Sequence, residues 1–306
     1  MVSVGCGGAP YTPPFSPPNF NAVFLFGDVG KTHYNSLQVK AETKTAKHGL
    51  YALVAYTYAK TYDNGLSDGL GSLLSAPYFP LPNWENLDWS LSQINLDNNF
   101  TASVIYDLPF GRGKAFGSSW NKLTDSLIGN WQLTLIEHIS SGFPVPLIDS
   151  SNQAGAAGIS ARCGQFSFCS SFQNGGNGNN YNRPDQVANC NPYHASHGQH
   201  QWINASCFTA PGLVVGGVNI GGELGNASRV PVVGPDFVNT DFSVIKNFAL
   251  PYREGMGLNF RAEFFNLFNH AQFGMPVNDI NASGFGAVNS TVNNPRLIQL
   301  ALKLSF

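Results

Sequence analysis

Arg296-Leu297-Ile298-Gln299-Leu300-Ala301-Leu302-Lys303-Leu304-Ser305-Phe306 closes the chain, and from Ile298 onward its side chains alternate in kind at every step. Ile298, Leu300, Leu302, Leu304 and Phe306 fall on one side; Gln299, Ala301, Lys303 and Ser305 fall on the other. Successive side chains of a β-strand point to opposite faces. The stretch therefore reads as a strand with one wholly apolar face and one polar or small face. The same two-residue period recurs upstream. Leu258, Phe260, Ala262 and Phe264 alternate with Asn259, Arg261 and Glu263. Phe100, Ala102, Val104, Tyr106 and Leu108 alternate with Thr101, Ser103 and Asp107, interrupted by Ile105. Trp131, Leu133 and Leu135 alternate with Gln132 and Thr134 until Glu137 breaks the pattern, which suggests a bulge there. Further candidates cover Leu37–Ala41, Ala52–Tyr58 and Thr240–Val244. The period predicts seven strands, at 33–43, 47–60, 97–109, 128–144, 237–248, 255–268 and 294–306.

Composition agrees with an all-β chain. Charged residues are 11% of the 306 residues and aromatics 13%, against about 25% charged in an ordinary soluble domain. With 16 Lys+Arg against 18 Asp+Glu there is no basic footprint for nucleic acid. No run of apolar residues is long enough for a transmembrane helix. The start, Met1-Val2-Ser3-Val4-Gly5-Cys6, lacks the basic and apolar regions of a signal peptide, so the sequence reads as a fragment of a longer protein.

The connectors between the seven strands alternate in length. Thr45-Ala46 reads as a tight turn, 110–127 is intermediate and 249–254 is short, whereas 61–96, 145–236 and 269–293 are longer. Short turns on one rim and long loops on the other are the habit of transmembrane β-barrels. The expected architecture is thus an antiparallel meander of about seven amphipathic strands, the carboxyl-terminal part of a transmembrane barrel. Residues 1–32 would be the remnant of an extracellular loop, 33–306 the partial barrel, and 145–236 a long extracellular loop. A loop of that length needs local structure of its own in a compact fold.

Several stretches carry a family resemblance. They are RAEFFNLFNHAQFGMP (261–276), Phe285-Gly286 and NNPRLIQLALKLSF at the end; YNSLQVKAETKT (34–45), AYTYAKTYDN (55–64), IYDLPFGRGKAF (105–116) and IGNWQLTLIEHISSGFPV (128–145); and NRPD (182–185), CFTAP (207–211) and GPDFVNTDFSVIKNF (234–248). Across residues 34–306 the chain resembles TonB-dependent outer-membrane receptors of the Oar-like type, which carry a carboxypeptidase-regulatory-like amino-terminal domain. The resemblance implies a bacterial outer-membrane location, uptake of a solute not named by the sequence, contact with outer-membrane lipid, and coupling to TonB through an amino-terminal part not found here. It also implies that the terminal strand (Ile298, Leu300, Leu302, Leu304, Phe306) is the signal read by the barrel assembly machinery. The family's signal peptide, TonB box, plug domain and further strands are not in this sequence.

Other residues carry candidate chemistry. Asn259, Arg261 and Glu263 share the polar face of one strand and are candidates for touching a solute in a lumen; the favoured reading is a polar lining satisfied by water and neighbours. His194, His197 and His200 stand between Cys190 and Cys207, and imidazole with thiolate suits zinc or copper. A helical turn would be needed to gather the three, and nothing nearby enforces one, so the expectation is a solvated loop without metal. Of the five cysteines, Cys163 with Cys169 and Cys190 with Cys207 are the nearest pairings, leaving Cys6 over; unpaired loop thiols are the alternative. Trp84, Trp89, Trp131, Tyr56, Tyr58 and Tyr106 read as interfacial girdles rather than sugar-stacking platforms. GRGKAFGSS (111–119) has the wrong spacing for a phosphate loop, and no GxSxG, Walker A or HExxH motif occurs. No cofactor and no enzymatic activity are expected. Two other readings remain: a surface adhesion protein displaying 145–236, and a secreted soluble β-sandwich that binds a ligand.

Overall fold

The computed structural model describes residues 30–45, 49–64, 89–150, 183–198, 201–211, 214–215, 218–219, 225–250 and 256–306. Seven long strands dominate: β1 (Thr32–Thr45), β2 (Leu50–Asp63), β3 (Asn98–Asp107), β4 (Trp131–Ser140), β5 (Phe237–Ala249), β6 (Gly257–Phe265) and β7 (Leu297–Ser305). Each pairs antiparallel with the next in chain order, and Ser90–Leu91 adds a short strand beside the end of β2. Among the described residues no second strand lies on the outer side of β1 or of β7.

The register keeps one parity across the whole sheet. Thr45, Leu50, Tyr106, Leu133, Val244, Ala262 and Leu300 form one continuous cross-strand row. Thr43, Ala52, Val104, Leu135, Phe242, Phe264 and Ile298 form a parallel one on the same face. The row between them, Lys44, Tyr51, Ile105, Thr134, Ser243, Glu263 and Gln299, points the other way. A slip of one residue anywhere would exchange the faces of every strand beyond it. All seven apolar faces thus lie on one side of one sheet.

No second sheet among the described residues covers that side. Leu300 and Leu302 are 67% and 66% exposed, and Leu37, Val39 and Ile298 are exposed as well. The only fully buried apolar residues on the long strands, Ala59 and Ile245, sit on the opposite, polar face. A soluble sandwich would bury its apolar face against a second sheet. Here the remaining described sheets are two-stranded pairs within the connectors. Among the described residues no helix is long and apolar enough to cross a membrane.

The connectors sort by rim. Residues 46–49, 108–130 and 250–256 join strands at one rim, and 64–97, 141–236 and 266–296 join them at the other. The longest one contains a core of its own, Val145, Leu147, Ile203, Cys207, Phe208 and Val232, with Trp202, Ile280 and Phe285 packed against it. Ile280 and Phe285 come from 266–296, so two long connectors share one cap. Gly286, at φ 80°, lets the backbones meet: its carbonyl accepts from the N–H groups of Trp202 and Ile203 at 2.7 and 3.2 Å, and a Cβ there would stand 2.7 Å from the Ile203 oxygen.

Several boundaries differ from the sequence expectation. β1 runs on to Thr45 and β2 begins at Leu50, so the first connector is 46–49, with Gly49 at φ 64°, rather than a Thr45-Ala46 turn. Glu137 makes no bulge. The ladder passes through it unbroken, and its carboxylate accepts from Thr240 Oγ1 at 2.6 Å, which keeps a polar residue on the apolar face. The expected strand 128–144 spans only Trp131–Ser140. Lys122–Ile128 ahead of it is a helix, α1, capped by the Asn121 side chain on Thr124 N at 2.8 Å, and it stops at Gly129 before Asn130, at φ 57°. Pro144–Val145 pairs with Val232–Val233 inside the cap instead of continuing β4.

Two buried side chains fasten the cap to the wall. Arg229, fully buried, pairs with the carboxylate of Asp63 at the end of β2, donates to the Asp63 carbonyl at 3.0 Å and to Ser90 Oγ at 3.3 Å. Gln272, also fully buried, accepts from Val238 N at 2.7 Å and donates to the Val238 carbonyl. The pairing of β5 with β6 begins only at Phe242–Phe264, so this amide stands in for a strand beyond the end of β6.

Two outcomes are expected. Leu300→Arg should lower the stability of the chain folded in phospholipid vesicles by about 2–4 kcal/mol, because it places a cation in hydrocarbon. Gln299→Arg, one residue away on the polar face, should cost little; equal losses in a denaturant titration would refute the face assignment. Arg229→Met should destabilise the cap by about 3–5 kcal/mol, since it strands a buried carboxylate. Arg229→Met with Asp63→Leu should recover part of that loss, read by hydrogen exchange at Val145–Leu147 and Ile203.

Candidate functional site

Two regions offer polar groups in an organised setting: the polar face of the sheet and the cap. On the polar face, Asn259, Arg261 and Glu263 lie along β6. Arg261 Nη1 and Glu263 Oε1 stand 3.7 Å apart, so these two neighbours partly neutralise each other. Asn259 donates from Nδ2 to Asn247 Oδ1 on β5 at 2.6 Å. Further along, Gln132 donates to Asp107 at 2.8 Å, and His138 meets Asn99 at 3.2 Å. On β1, Glu42 bridges Lys40 at 3.5 Å and Lys44 at 2.9 Å. Charges of both signs are interleaved across this face, so it presents no single-sign field to steer an ion.

A cavity of about 620 Å³ opens on the polar face at the short-connector rim. Asp107, Gln132, Asn247, Asn259 and Ser305 line it from five strands, with Lys114 and Asn130 from the connector between β3 and β4. Of the three lumen candidates, only Asn259 reaches it; Arg261 and Glu263 lie further up β6. The cavity groups can donate and accept hydrogen bonds to a polar solute. Nothing there places a nucleophile against a base.

The cap is held by a disulfide between Cys190 and Cys207, with Cα atoms 5.5 Å apart. Cys207 closes a short turn, Ala205–Cys207, whose start is capped by Asn204 on Ser206 N at 3.3 Å. Tyr193 Oη accepts from Val233 N at 2.8 Å, and Trp202 Nε1 donates to the Val233 carbonyl at 2.8 Å. The pair Cys163 and Cys169, and Cys6, lie outside the described residues, as do Trp84 and His200. Tyr193–Gly198 is extended strand, so the helical turn that could gather His194 and His197 does not form. Among the described residues no group of three or more His, Cys, Asp or Glu could hold a metal ion.

Of the described aromatic candidates, Trp89, Trp131 and Tyr106 sit towards strand ends, whereas Tyr56 and Tyr58 lie in the middle of β2. Trp89 stacks on Tyr62 at 6.4 Å and meets His33 edge-on at 5.1 Å, near the long-connector rim. Trp131 begins β4 at the other rim, under the ammonium of Lys246 at 5.2 Å. Ile298, Leu300, Leu302, Leu304 and Phe306 line the exposed apolar face of β7, the last strand of the sheet. Arg229, Gln272 and Lys246 were not found in the sequence. Each is a single polar residue whose partner is far away in the chain; Lys246 and Gln272 fall in stretches quoted for the resemblance, 234–248 and 261–276, but nothing local marks either as a tie.

No curated protein and no solved structure matches the chain. A family model described as an outer membrane beta barrel domain matches residues 5–299. That match spans six of the seven strands whole and the first three residues of the seventh, together with the connectors that form the cap. With one apolar face across a single antiparallel sheet and long loops confined to one rim, the chain belongs to the outer membrane beta barrel domain family and sits in the bacterial outer membrane.

Proposed function

We propose that the chain is the wall-and-cap portion of a TonB-dependent receptor that takes up a bulky solute through the outer membrane. The observation that carries this reading is a polar sheet face, with a cavity at one end and a folded cap over the opposite rim. A wall built only for anchoring would need no such interior. The Oar-like stretches at 105–116, 261–276 and 293–306 supply the receptor type and the energy source. In this reading the solute binds first to the cap and then to the polar face, with Asn259, Arg261 and Glu263 among the groups it meets. In this reading TonB supplies the energy for passage. The barrel assembly machinery reads the strand Ile298–Phe306, whose outer edge carries no described partner. The role is binding and passage, without catalysis or cofactor.

A second reading, surface adhesion or display, is favoured by one feature: the cap has its own core and a disulfide, as a recognition module would. The two separate in cells. Deleting the gene in its source bacterium should slow depletion of a bulky solute from the medium, measured by mass spectrometry. Inactivating TonB should slow the same depletion to the same extent. Unchanged depletion together with lost attachment to surfaces or cells would overturn transport in favour of display.

A further inference from the structure

The connector between β3 and β4 is not shaped like a solvated turn. Residues 110–128 hold five large apolar side chains in the open: Phe110, Phe116, Leu123, Leu127 and Ile128, with Leu123 76% and Leu127 69% exposed. The segment is nevertheless rigidly built. Gly111 N donates to the Phe116 carbonyl and Phe116 N to the Pro109 carbonyl, both at 2.9 Å, and the two phenyl rings lie 5.8 Å apart. Arg112 N donates to Asp125 Oδ1 at 2.7 Å, and Gly129 N to the Asp125 carbonyl at 2.9 Å, which ties the loop to α1. Ordered apolar surface that nothing described covers marks a contact site.

Its position says what it contacts. Trp131 Nε1, on the apolar face of β4, donates to the Leu127 carbonyl at 3.0 Å. Lys246, on the apolar face of β5, donates to the Gly129 carbonyl and stands 5.2 Å from both the Trp131 and Phe248 rings. The end of α1 is therefore fastened to the apolar side of the wall, not to its polar interior. The exposed side chains of the connector continue the surface that faces lipid. Within 110–128 the charges are Arg112, Lys114, Lys122 and Asp125; Lys114 lines the polar-face cavity, which leaves Arg112 and Lys122 as the cations available here. Apolar side chains among basic ones, lying in the plane of an interface, suit an anionic bilayer surface.

We propose that this connector is a membrane foot: Leu123, Leu127, Ile128 and Phe116 enter the acyl-chain boundary of the adjoining leaflet, and Arg112 and Lys122 meet phospholipid phosphates. The foot anchors the short-connector rim of the wall and is independent of whether the protein transports or displays. It is tested on the full chain folded into vesicles of phosphatidylethanolamine and phosphatidylglycerol, with a benzophenone amino acid at position 127, at 123 in a second variant, and at Val187 in the cap as reference. Illumination should give phospholipid adducts at 127 and 123 in several-fold higher yield than at 187, and replacing phosphatidylglycerol by phosphatidylcholine should lower that yield. Adduct yields at 127 and 123 no higher than at 187 would overturn the proposal. So would adducts in intact outer membranes that run to another protein rather than to lipid, since the patch would then be a protein-docking surface.

Discussion

One constraint governs the molecule: in hydrocarbon every backbone N–H and C=O must find a partner in the protein, because no water is there to substitute. An antiparallel ladder satisfies it only if pairing is unbroken, and a membrane wall is useful only if the same side of each strand faces lipid. Both demands meet in the register. Thr45 to Leu300 runs as one row through seven strands without a change of parity. The meander also fixes strand direction. β1 and β7 both run from the long-connector rim to the short one, so laying β7 directly on β1 would make a parallel ladder. Each of these two edges has one described partner, which makes the sheet a portion of wall rather than a closed barrel.

The polar residues that do fall on the apolar face show the same constraint from the other side. An unpaired charge in lipid is costly, and these residues are paired. Lys60 bridges Asp97 near the long-connector rim, Glu137 accepts from Thr240, and Lys246 donates to the Gly129 carbonyl at the opposite rim. Between them the face is carried by Phe100, Val104, Leu133, Leu135, Phe242, Phe260 and the leucines of β7. The sheet thus tolerates exceptions towards its ends, where a partner from a connector or a neighbouring strand can reach them.

The wall was legible because its signal is local and repeats. Leu258–Phe264 and Ile298–Phe306 declare their faces within nine residues or fewer, and seven such stretches with connectors of alternating length specify a meander. What escaped was set by contacts between distant residues. Glu137 looked like a defect because its hydroxyl partner, Thr240, lies on a strand more than a hundred residues away. α1 fell almost wholly in 110–127, which reads as a connector, and only its last residue, Ile128, lay in the expected strand whose period of two starts at Trp131. The cap core joins Val145 to Ile203, Val232 and Phe285, a selection no periodicity predicts. Of the proposed lumen residues, the alternation placed Asn259, Arg261 and Glu263 on the polar face, but not that Arg261 and Glu263 pair with each other while Asn259 alone reaches the cavity.

The cap and the wall are not separable units, and this bears on how anything could pass. The cap is tied to β2 by Arg229 on Asp63, to β5 by Gln272 on Val238, and to the end of β4 by Gly142 N on Asp236 Oδ1 at 3.0 Å. Two of these ties are fully buried, so lifting the cap as a whole would expose a desolvated ion pair and a desolvated amide together. Each such loss costs on the order of a few kcal/mol. On the transport reading proposed above, a solute would pass beside the anchored core rather than by lifting it as a lid.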